Sequence, residues 1–223
     1  MEFKVLDLFC GAGGFSAGLE QVANFTTEVG LDFDKYAIET FTKNFPNAAS
    51  ICGDILNQDV KNRVIEESRK RKVNMVVGGP PCQGFSLKGK NLGLNDSRNF
   101  LFKEYLNIVK ELQPEVFIIE NVKNILNSSN HYFRDEILRE IKNLGYIVNC
   151  GVVNAKNYGV PQNRERALFI ASKTKFINFP NPIDKQTTVR DAISDLAYLE
   201  SGQGQAISDY INPAQSDYQR QLR

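Results

Sequence analysis

One of the four cysteines lies on a loop rich in glycine and proline, Gly78-Gly79-Pro80-Pro81-Cys82-Gln83-Gly84-Phe85-Ser86. Each proline fixes its own φ and disfavours helix at the residue before it, so the Cys82 thiol is held on a stiff loop. A held thiol is suited to nucleophilic attack, whereas structural cysteines are usually buried among apolar side chains. We therefore predict that Cys82 is a catalytic nucleophile and that Cys52 and Cys150, in or beside apolar runs, are buried structural residues.

Two other segments carry groups that could act on a bound substrate, Ile118-Ile119-Glu120-Asn121-Val122 and Val160-Pro161-Gln162-Asn163-Arg164-Glu165-Arg166. Glu120 closes an apolar strand, where its carboxyl group is partly desolvated and able to exchange a proton. If the strand that follows runs antiparallel to the others, its beginning lies where the others end, so that Arg164 and Arg166 face Cys82 and Glu120. Either segment alone could be a solvated strand end or a salt-bridged loop. Their convergence on one edge indicates an active site.

A glycine-rich turn follows the first apolar run, Asp7-Leu8-Phe9-Cys10-Gly11-Ala12-Gly13-Gly14-Phe15-Ser16. Glycines at this junction let the backbone approach a ligand closely, at the edge of a parallel sheet where such folds bind ligands. The turn has neither the G-x-G-x-x-G spacing of a dinucleotide site nor the G-K-S/T of a phosphate loop, so NAD and ATP are poorly supported. Cys10, inside the turn, is expected to pack rather than to react.

Acidic residues close the next two apolar runs. Asp32 ends the second, where a carboxylate can accept hydrogen bonds from both hydroxyls of a ribose, and Asp54 follows the third, where it could accept from an adenine amino group. Phe33 and Ile55 would supply apolar faces for the base. The turn and these four residues together predict a cofactor with a sugar and an adenine but no phosphate to cradle.

The elements that position these residues alternate between β-rich runs and helical periodicity, which is typical of βαβ units and a parallel sheet. Helices are predicted at about Arg98 to Leu112 and Tyr132 to Leu144 from their apolar stripes. The last two strands are joined without an obvious helix, so one of them is expected to be antiparallel. Strands are predicted near Lys4 to Phe9, Thr26 to Leu31, Ala49 to Cys52, Asn74 to Gly78, Val116 to Glu120, Tyr146 to Asn154 and Arg166 to Ser172.

Length and composition bound the class of protein. The 223 residues suffice for one domain with an extension, and 27 Lys+Arg against 26 Asp+Glu neither demand nor exclude nucleic acid. The longest apolar runs are far below the roughly 18 residues of a membrane span, and the N-terminus lacks a basic region followed by an apolar stretch. The cysteines are scattered and there is one histidine, so a disulfide framework or a metal site is not expected. A cytoplasmic protein is the expectation.

These segments stand in the order found in the cytosine-C5 DNA methyltransferases, and the sequence resembles that family over about residues 3 to 172. The resemblance implies the α/β, Rossmann-like fold of S-adenosylmethionine-dependent methyltransferases, with a mostly parallel sheet and an antiparallel last strand. The shared blocks are D-L-F-C-G-A-G-G, the acidic Asp32, G-D-I at 53–55, G-G-P-P-C-Q-G-F-S at 78–86, D-S-R-N at 96–99 with Leu101 and Phe102, E-N-V at 120–122 and Q-N-R-E-R at 162–166.

The resemblance also implies roles for individual residues. S-adenosylmethionine would be the methyl donor, with no metal, and Cys82 the nucleophile that adds to C6 of a flipped-out cytosine. Glu120 would bind the N3 and amino edge of the base, Arg166 its O2, and Arg164 would support the pocket. The implied cofactor contacts are Phe9, Gly11, Gly13, Gly14, Asp32, Phe33, Asp54, Ile55, Pro80 and Leu101. The implied contacts to substrate and DNA are Gln83, Gly84, Ser86, Lys88, Arg98, Asn121 and Gln162.

The sequence departs from the family after Ser172. Members continue into a target-recognition domain, then R-x-x-T-x-R-E and G-N-x-V blocks, and none of these occurs here. We therefore expect a cofactor and catalytic domain at residues 1–178 and, at 179–223, a linker and the start of an incomplete target-recognition domain. A second polypeptide would then supply sequence recognition on double-stranded DNA, in a bacterial or archaeal restriction-modification system.

Two other functions stay open. The first is a cytosine methyltransferase of the same fold that acts on tRNA, although Gln83-Gly84-Phe85-Ser86 resembles the enzymes that act on DNA. The second is a catalytically silent regulatory module of a methyltransferase, which the intact Cys82, Glu120 and Arg166 argue against.

Overall fold

The computed structural model describes residues 2–81, 100–127, 131–205, 207 and 212–222. The chain divides into two compact units, the first made of Met1–Val152 with Arg166–Asn178 and the second of Val153–Glu165 with Phe179–Arg223. The assignment of residues 179–223 to the start of a target-recognition domain stays a prediction.

The first unit is built on a sheet. The described chain contributes seven strands to it, in the order β3-β2-β1-β4-β5-β7-β6. β1 pairs in parallel with β2 and β4, β2 with β3, and β4 with β5, whereas β7 pairs antiparallel with β5. The mostly parallel sheet with an antiparallel last strand is thereby confirmed. The strands are β1 Phe3–Leu8, β2 Phe25–Asp32, β3 Ala49–Cys52, β4 Met75–Gly78, β5 Val116–Val122, β6 Ile147–Asn154 and β7 Glu165–Ser172.

Helices connect the parallel strands: α1 Gly14–Glu20, α2 Lys35–Asn44, α3 Gln58–Lys70, α4 Phe100–Leu112 and α5 Tyr132–Asn143. Short polar side chains start two of them, since Asp34 accepts hydrogen bonds from two backbone N–H groups of α2 and Asn57 from two of α3. These bonds satisfy donors that the first turn of a helix leaves free. The predicted helices at α4 and α5 are confirmed, except that Arg98 and Asn99 lie outside the described residues.

The main core lies between the sheet and the helices. Leu6, Val29, Val76 and Ile119 of four neighbouring strands are fully buried, and α4 covers them with Phe102, Tyr105 and Val109. The Tyr105 hydroxyl lies 3.3 and 3.0 Å from the carbonyl oxygens of Val76 and Ile118, so a buried polar atom is satisfied at the centre of the sheet.

The second unit contains a short 3-10 turn at Ala155–Tyr158 and two short helices, α6 Val189–Ile193 and α7 Asp217–Leu222. α6 begins with a capping box, in which Thr188 and Asp191 bond each other's backbone N–H groups. α6 ends at Ile193, and Ser194 is its C-cap. Buried Gln219 of α7 donates a hydrogen bond to the Ser194 hydroxyl at 3.0 Å.

Within the described ranges, no helix is both long enough and apolar enough to cross a membrane. The same part of the chain brings together no group of three or more histidine, cysteine or carboxylate side chains that could hold a metal ion.

Candidate active site

The sheet register brings the strand ends that carry or precede the glycine turn, Asp32, Gly79 and Glu120 to one edge. Leu8 of β1 pairs with Leu31 of β2 and with Gly78 of β4, and Gly78 pairs with Ile119 of β5. The carboxyl ends of these four strands therefore lie side by side. β7 begins at the same edge, because Val122 pairs with Arg166 in the antiparallel direction.

The glycine turn after β1 has the backbone conformation that its sequence indicates. Gly11 and Gly13 have φ of +54° and +90°, in the left-handed region that residues with a Cβ rarely adopt. A Cβ on Gly13 would overlap the ring of Phe45, whereas a Cβ on Gly11 or Gly14 would meet nothing within 4 Å. Gly13 thus packs against the end of α2. The space around Gly11 and Gly14 is open, so a ligand can approach the backbone there.

Asp32 ties the turn to the end of β2. Its Oδ2 accepts a hydrogen bond from the Gly11 N–H at 2.8 Å, and its Oδ1 accepts one from the Asp34 N–H at 3.0 Å. A carboxylate has about four lone-pair positions, so these two bonds leave acceptor capacity for a ligand. Asp32 is therefore placed both to shape the turn and to accept hydrogen bonds from hydroxyl groups beside it.

The apolar residues near Asp32 differ in exposure. Phe33 is 75% exposed, which is unusual for a large aromatic side chain and suits a stacking surface for a base. Ile55 is 2% exposed and belongs to the main core, and its role as an apolar face for the base stays a prediction. Asp54 is exposed, with Oδ1 accepting from the Leu56 N–H at 2.9 Å. Leu101 is partly buried against the same core.

Asn121 holds the backbone at Pro80, two residues before Cys82. Its side chain is 6% exposed, and its amide nitrogen donates to the Pro80 carbonyl at 3.0 Å while its Oδ1 accepts from the Val122 N–H. The predicted contact between Asn121 and substrate stays a prediction. The hydrogen bond itself gives Asn121 a positioning role, because it fixes the backbone two residues before Cys82.

Glu120 and Arg166 form an ion pair, with Arg166 Nε 2.8 Å from Glu120 Oε1 and about a quarter of each side chain exposed. A Cβ on Gly79 would lie 3.2 Å from Glu120 Oε2, so the carboxylate sits against the loop that leads to Cys82. The predicted approach of Arg166 to Glu120 is thus seen directly. Partial desolvation strengthens such a pair relative to one in open water.

The remaining predicted residues belong to the second unit or lie outside the described residues. Arg164 and Gln162 are exposed and belong to the second unit, where the Arg164 carbonyl accepts a hydrogen bond from the Ala155 N–H at 3.0 Å. Cys82, Gln83, Gly84, Ser86, Lys88 and Arg98 lie outside the described residues. Their predicted roles stay predictions.

Two supports of the turn were not predicted. Asn44, the last residue of α2, donates its amide hydrogen to the Ala12 carbonyl at 2.9 Å. Asp7, next to the end of β1, is buried and accepts a hydrogen bond from the Ser16 hydroxyl at 2.7 Å. A polar residue inside an apolar strand just before a glycine turn was the available signal for Asp7. For Asn44 the sequence offered none, because its contact spans 32 residues.

The Asn121 anchor is tested by Asn121→Ala. The variant leaves the buried Pro80 carbonyl without this donor, so we expect the free energy of unfolding to fall by about 1–3 kcal/mol, measured by urea denaturation. Asn124→Ala, at an exposed position nearby, is the matched control and should change stability by no more than about 0.5 kcal/mol. Equal stability of the two variants would show that the hydrogen bond does not hold the loop.

Comparison with known sequences agrees with this geometry. The family model described as C-5 cytosine-specific DNA methylase matches residues 3–221. Type II methyltransferase M.DdeI of Desulfomicrobium norvegicum is 37% identical over 231 residues, covering 99% of this chain and 54% of the relative. Type II methyltransferase M.AquIA of Picosynechococcus is 36% identical, covering 88% of this chain and 90% of the relative. The chain spans about half the length of M.DdeI and of several other curated relatives.

Solved structures give the same result. A prophage-encoded DNA modification methyltransferase of E. coli aligns with a TM-score of 0.71 and 30% sequence identity, covering 89% of this chain and 56% of that one. One assignment agrees with the match over almost the whole sequence. It also agrees with the order of the strands, the glycine turn with its acidic partner and the ion pair between β5 and β7. This chain belongs to the C-5 cytosine-specific DNA methylase family.

Proposed function

We propose that this chain is the catalytic part of a DNA (cytosine-5-)-methyltransferase, which transfers a methyl group from S-adenosylmethionine to C5 of a cytosine in double-stranded DNA. The observation that carries the proposal is the Glu120–Arg166 pair at 2.8 Å, set against Gly79 at the base of the Cys82 loop. A carboxylate and a guanidinium side by side match the donor and acceptor edge of a pyrimidine.

The residues at the cofactor turn fit S-adenosylmethionine. The space above Gly11 and Gly14 admits a ligand, Asp32 has acceptor capacity for ribose hydroxyls, and the exposed Phe33 ring can stack on adenine. The turn does not have the sequence of a phosphate loop, which agrees with a cofactor that lacks phosphate. When bound, S-adenosylmethionine would supply a methyl group attached to a positively charged sulfur.

Cys82 would solve the main chemical difficulty, which is that C5 of cytosine is a poor nucleophile. The Cys82 thiolate would form a bond to C6, and the electron pair displaced from the C5–C6 double bond would make C5 reactive. N3 would take up a proton as the adduct forms, so that Glu120 accepts hydrogen bonds from the protonated N3 and from the exocyclic amino group, while Arg166 donates to O2. After the methyl group has moved to C5, a base would remove the C5 proton and the C6–sulfur bond would break, which restores the thiolate.

The target base must leave the duplex to reach Cys82, because C6 is covered by stacking in B-form DNA. Extrusion of a base costs a few kcal/mol, which contacts in the pocket and groove must offset. Gln83, Gly84 and Ser86 would surround the flipped base, and Lys88 and Arg98 would contact phosphates. Asn121 and Gln162 would contact the substrate or DNA, and Arg164 would support the pocket.

Sequence recognition is proposed to come from a second polypeptide. The chain covers 54% of M.DdeI, so a large part of that relative has no counterpart here. M.AquIA, of which the chain covers 90%, shows that a methyltransferase of similar length occurs in the family. A partner that carries the target-recognition domain would complete the DNA-binding surface.

The proposal is tested with DNA that contains 5-fluorocytosine. Fluorine at C5 cannot leave as a proton, so a chain that acts by this mechanism stays covalently joined to the DNA and migrates as an adduct on a denaturing gel. We expect the adduct when S-adenosylmethionine, DNA and the product of the neighbouring reading frame are all present. The same incubation with unmodified DNA should give methylated cytosine and no adduct.

Each other outcome contradicts a part of the proposal. If no adduct forms with the partner present, the chain is a silent regulatory module. Transfer of labelled methyl groups to tRNA but not to DNA would show that the substrate is RNA. Full sequence-specific methylation by this chain alone would show that no second polypeptide is needed.

A further inference from the structure

A carboxyl group is buried directly behind the cofactor turn. Asp7 lies in β1, paired with Gly30 of β2 and Val77 of β4, two residues before the turn begins at Phe9. Asp7 is 1% exposed. The Ser16 hydroxyl in the first turn of α1 donates a hydrogen bond to its Oδ2 at 2.7 Å. The proposed mechanism gives this acid no task, although an acidic side chain without a counter-ion is costly to bury.

The ionisation of Asp7 is poised near neutral pH. Burial raises the pKa of its carboxyl to about 7, the hydrogen bond from Ser16 acts in the opposite direction, and the negative charge of Asp32 raises the pKa slightly further. The other described groups that interact electrostatically with it are the Cys10 thiol in the turn and the Tyr105 hydroxyl of α4. Burial raises the pKa of both, so neither changes charge near neutrality. Asp7 is thus the titrating group in this cluster that responds between pH 6 and 8.

The proposed cofactor and its product differ in charge at one atom. The sulfur of S-adenosylmethionine is a sulfonium cation, and the sulfur of S-adenosylhomocysteine is a neutral thioether. The adenosine and the amino-acid group are common to both, so they cancel in a comparison of the two affinities. A buried negative charge behind the turn interacts with this difference across a medium of low dielectric.

We propose that Asp7 is a buried counter-ion through which this site favours S-adenosylmethionine over S-adenosylhomocysteine as the pH rises through neutrality. The inference rests on the proposed function, since it concerns the same cofactor site. Asp7 acts here by its charge, without contact with the reacting atoms, and is a specificity-determining residue.

The direction of the effect follows from linkage. A cation near Asp7 favours the ionised carboxyl, so binding of the sulfonium form is coupled to release of a proton. Its affinity therefore rises with pH, by at most about tenfold per pH unit, and levels off once Asp7 is ionised in the free protein. The neutral thioether lacks this coupling. The ratio of the dissociation constant of S-adenosylhomocysteine to that of S-adenosylmethionine should grow with pH.

The experiment is isothermal titration calorimetry of the full chain with each compound between pH 5.5 and 7.5 at constant ionic strength. For the wild type we expect the ratio to rise by about three- to tenfold over this window. Asp7→Asn keeps the size of the side chain and removes its charge, so the ratio should become independent of pH and stay at the low-pH value. Above pH 7 this variant should be at least as stable as the wild type, because it lacks a charge that burial disfavours.

Two matched variants separate this role from others. Asp32→Asn should weaken binding of both compounds, because it removes an acceptor for their common ribose hydroxyls. It should also shift the rise in the ratio to lower pH, because it removes a negative charge that raises the pKa of Asp7. Ser16→Ala removes the hydrogen bond that lowers the pKa of Asp7 and should shift the rise to higher pH. Ser16→Ala also tests the inference if Asp7→Asn fails to fold.

A ratio that stays constant with pH in the wild type would overturn the inference and leave the proposed function intact. A rise that persists unchanged in Asp7→Asn would overturn it as well, since another group would then be responsible. If neither compound binds at any pH, the proposed function fails and the inference fails with it.

Discussion

Cys82→Ala is expected to lower methyl transfer to DNA by at least about a thousandfold, because in the proposed mechanism alanine cannot form the bond to C6 that makes C5 reactive. Binding of S-adenosylmethionine should change by less than about twofold, since the turn, Asp32 and Phe33 are untouched. Transfer is measured with labelled methyl groups, in the presence of the partner chain if it is needed, and binding by calorimetry.

Cys150→Ala is the matched control for this experiment. Cys150 is partly buried in β6, and burial raises the pKa of its thiol, so it is a poor nucleophile. This variant should keep most of the activity. Transfer that survives in Cys82→Ala would refute the covalent mechanism, and loss of cofactor binding in that variant would mean that the substitution damages the fold.

Gly78→Ala is expected to lower the free energy of unfolding by at least about 3 kcal/mol. A Cβ at Gly78 would overlap the carbonyl oxygen of Leu8 on the neighbouring strand and would lie 3.1 Å from the ring of Tyr105. Neither group can move away, because Leu8 is part of the β1–β4 ladder and Tyr105 is fully buried. The measurement is urea denaturation followed by circular dichroism.

Gly18→Ala is the control for Gly78→Ala. Gly18 lies on the exposed side of α1, and a Cβ there would meet nothing within 4 Å. Alanine is the better helix former, so this variant should gain about 0.5–1 kcal/mol. A loss below about 1 kcal/mol for Gly78→Ala would mean that β1 and β4 can separate enough to admit a methyl group.

Local sequence patterns were sufficient to predict the strands and the main helices, and to predict the edge of the sheet at which the candidate site lies. Alternating apolar runs predicted all seven described strands within a few residues, and the helix-free connection before β7 predicted an antiparallel strand. That strand direction then predicted that Arg166 approaches Glu120. These inferences succeeded because strand direction in a layered α/β sheet follows from the connections between strands.

Features that depend on strand order or on packing were not accessible from the sequence. The expectation that Cys52 is buried is wrong, because β3 lies at one end of the sheet order and Cys52 is exposed there. The near-complete burial of Ile55, which is 2% exposed, likewise depends on packing in the main core. The burial of Asp7 and the inward direction of Asn121 depend in the same way on contacts with distant residues.

The position of β7 in the sheet has a consequence for how the enzyme is made. β7 lies between β5 and β6, although it follows both in the chain, so the pairing of these three strands can be completed only after β7 has been synthesised. A nascent chain that has left the ribosome as far as β6 has Glu120 without Arg166 and an unpaired edge on β5. Pairing of β7 with β5 thus completes the described sheet and brings Arg166 to Glu120 in a single event. The Glu120–Arg166 pair therefore forms only once the sheet of the first unit is complete.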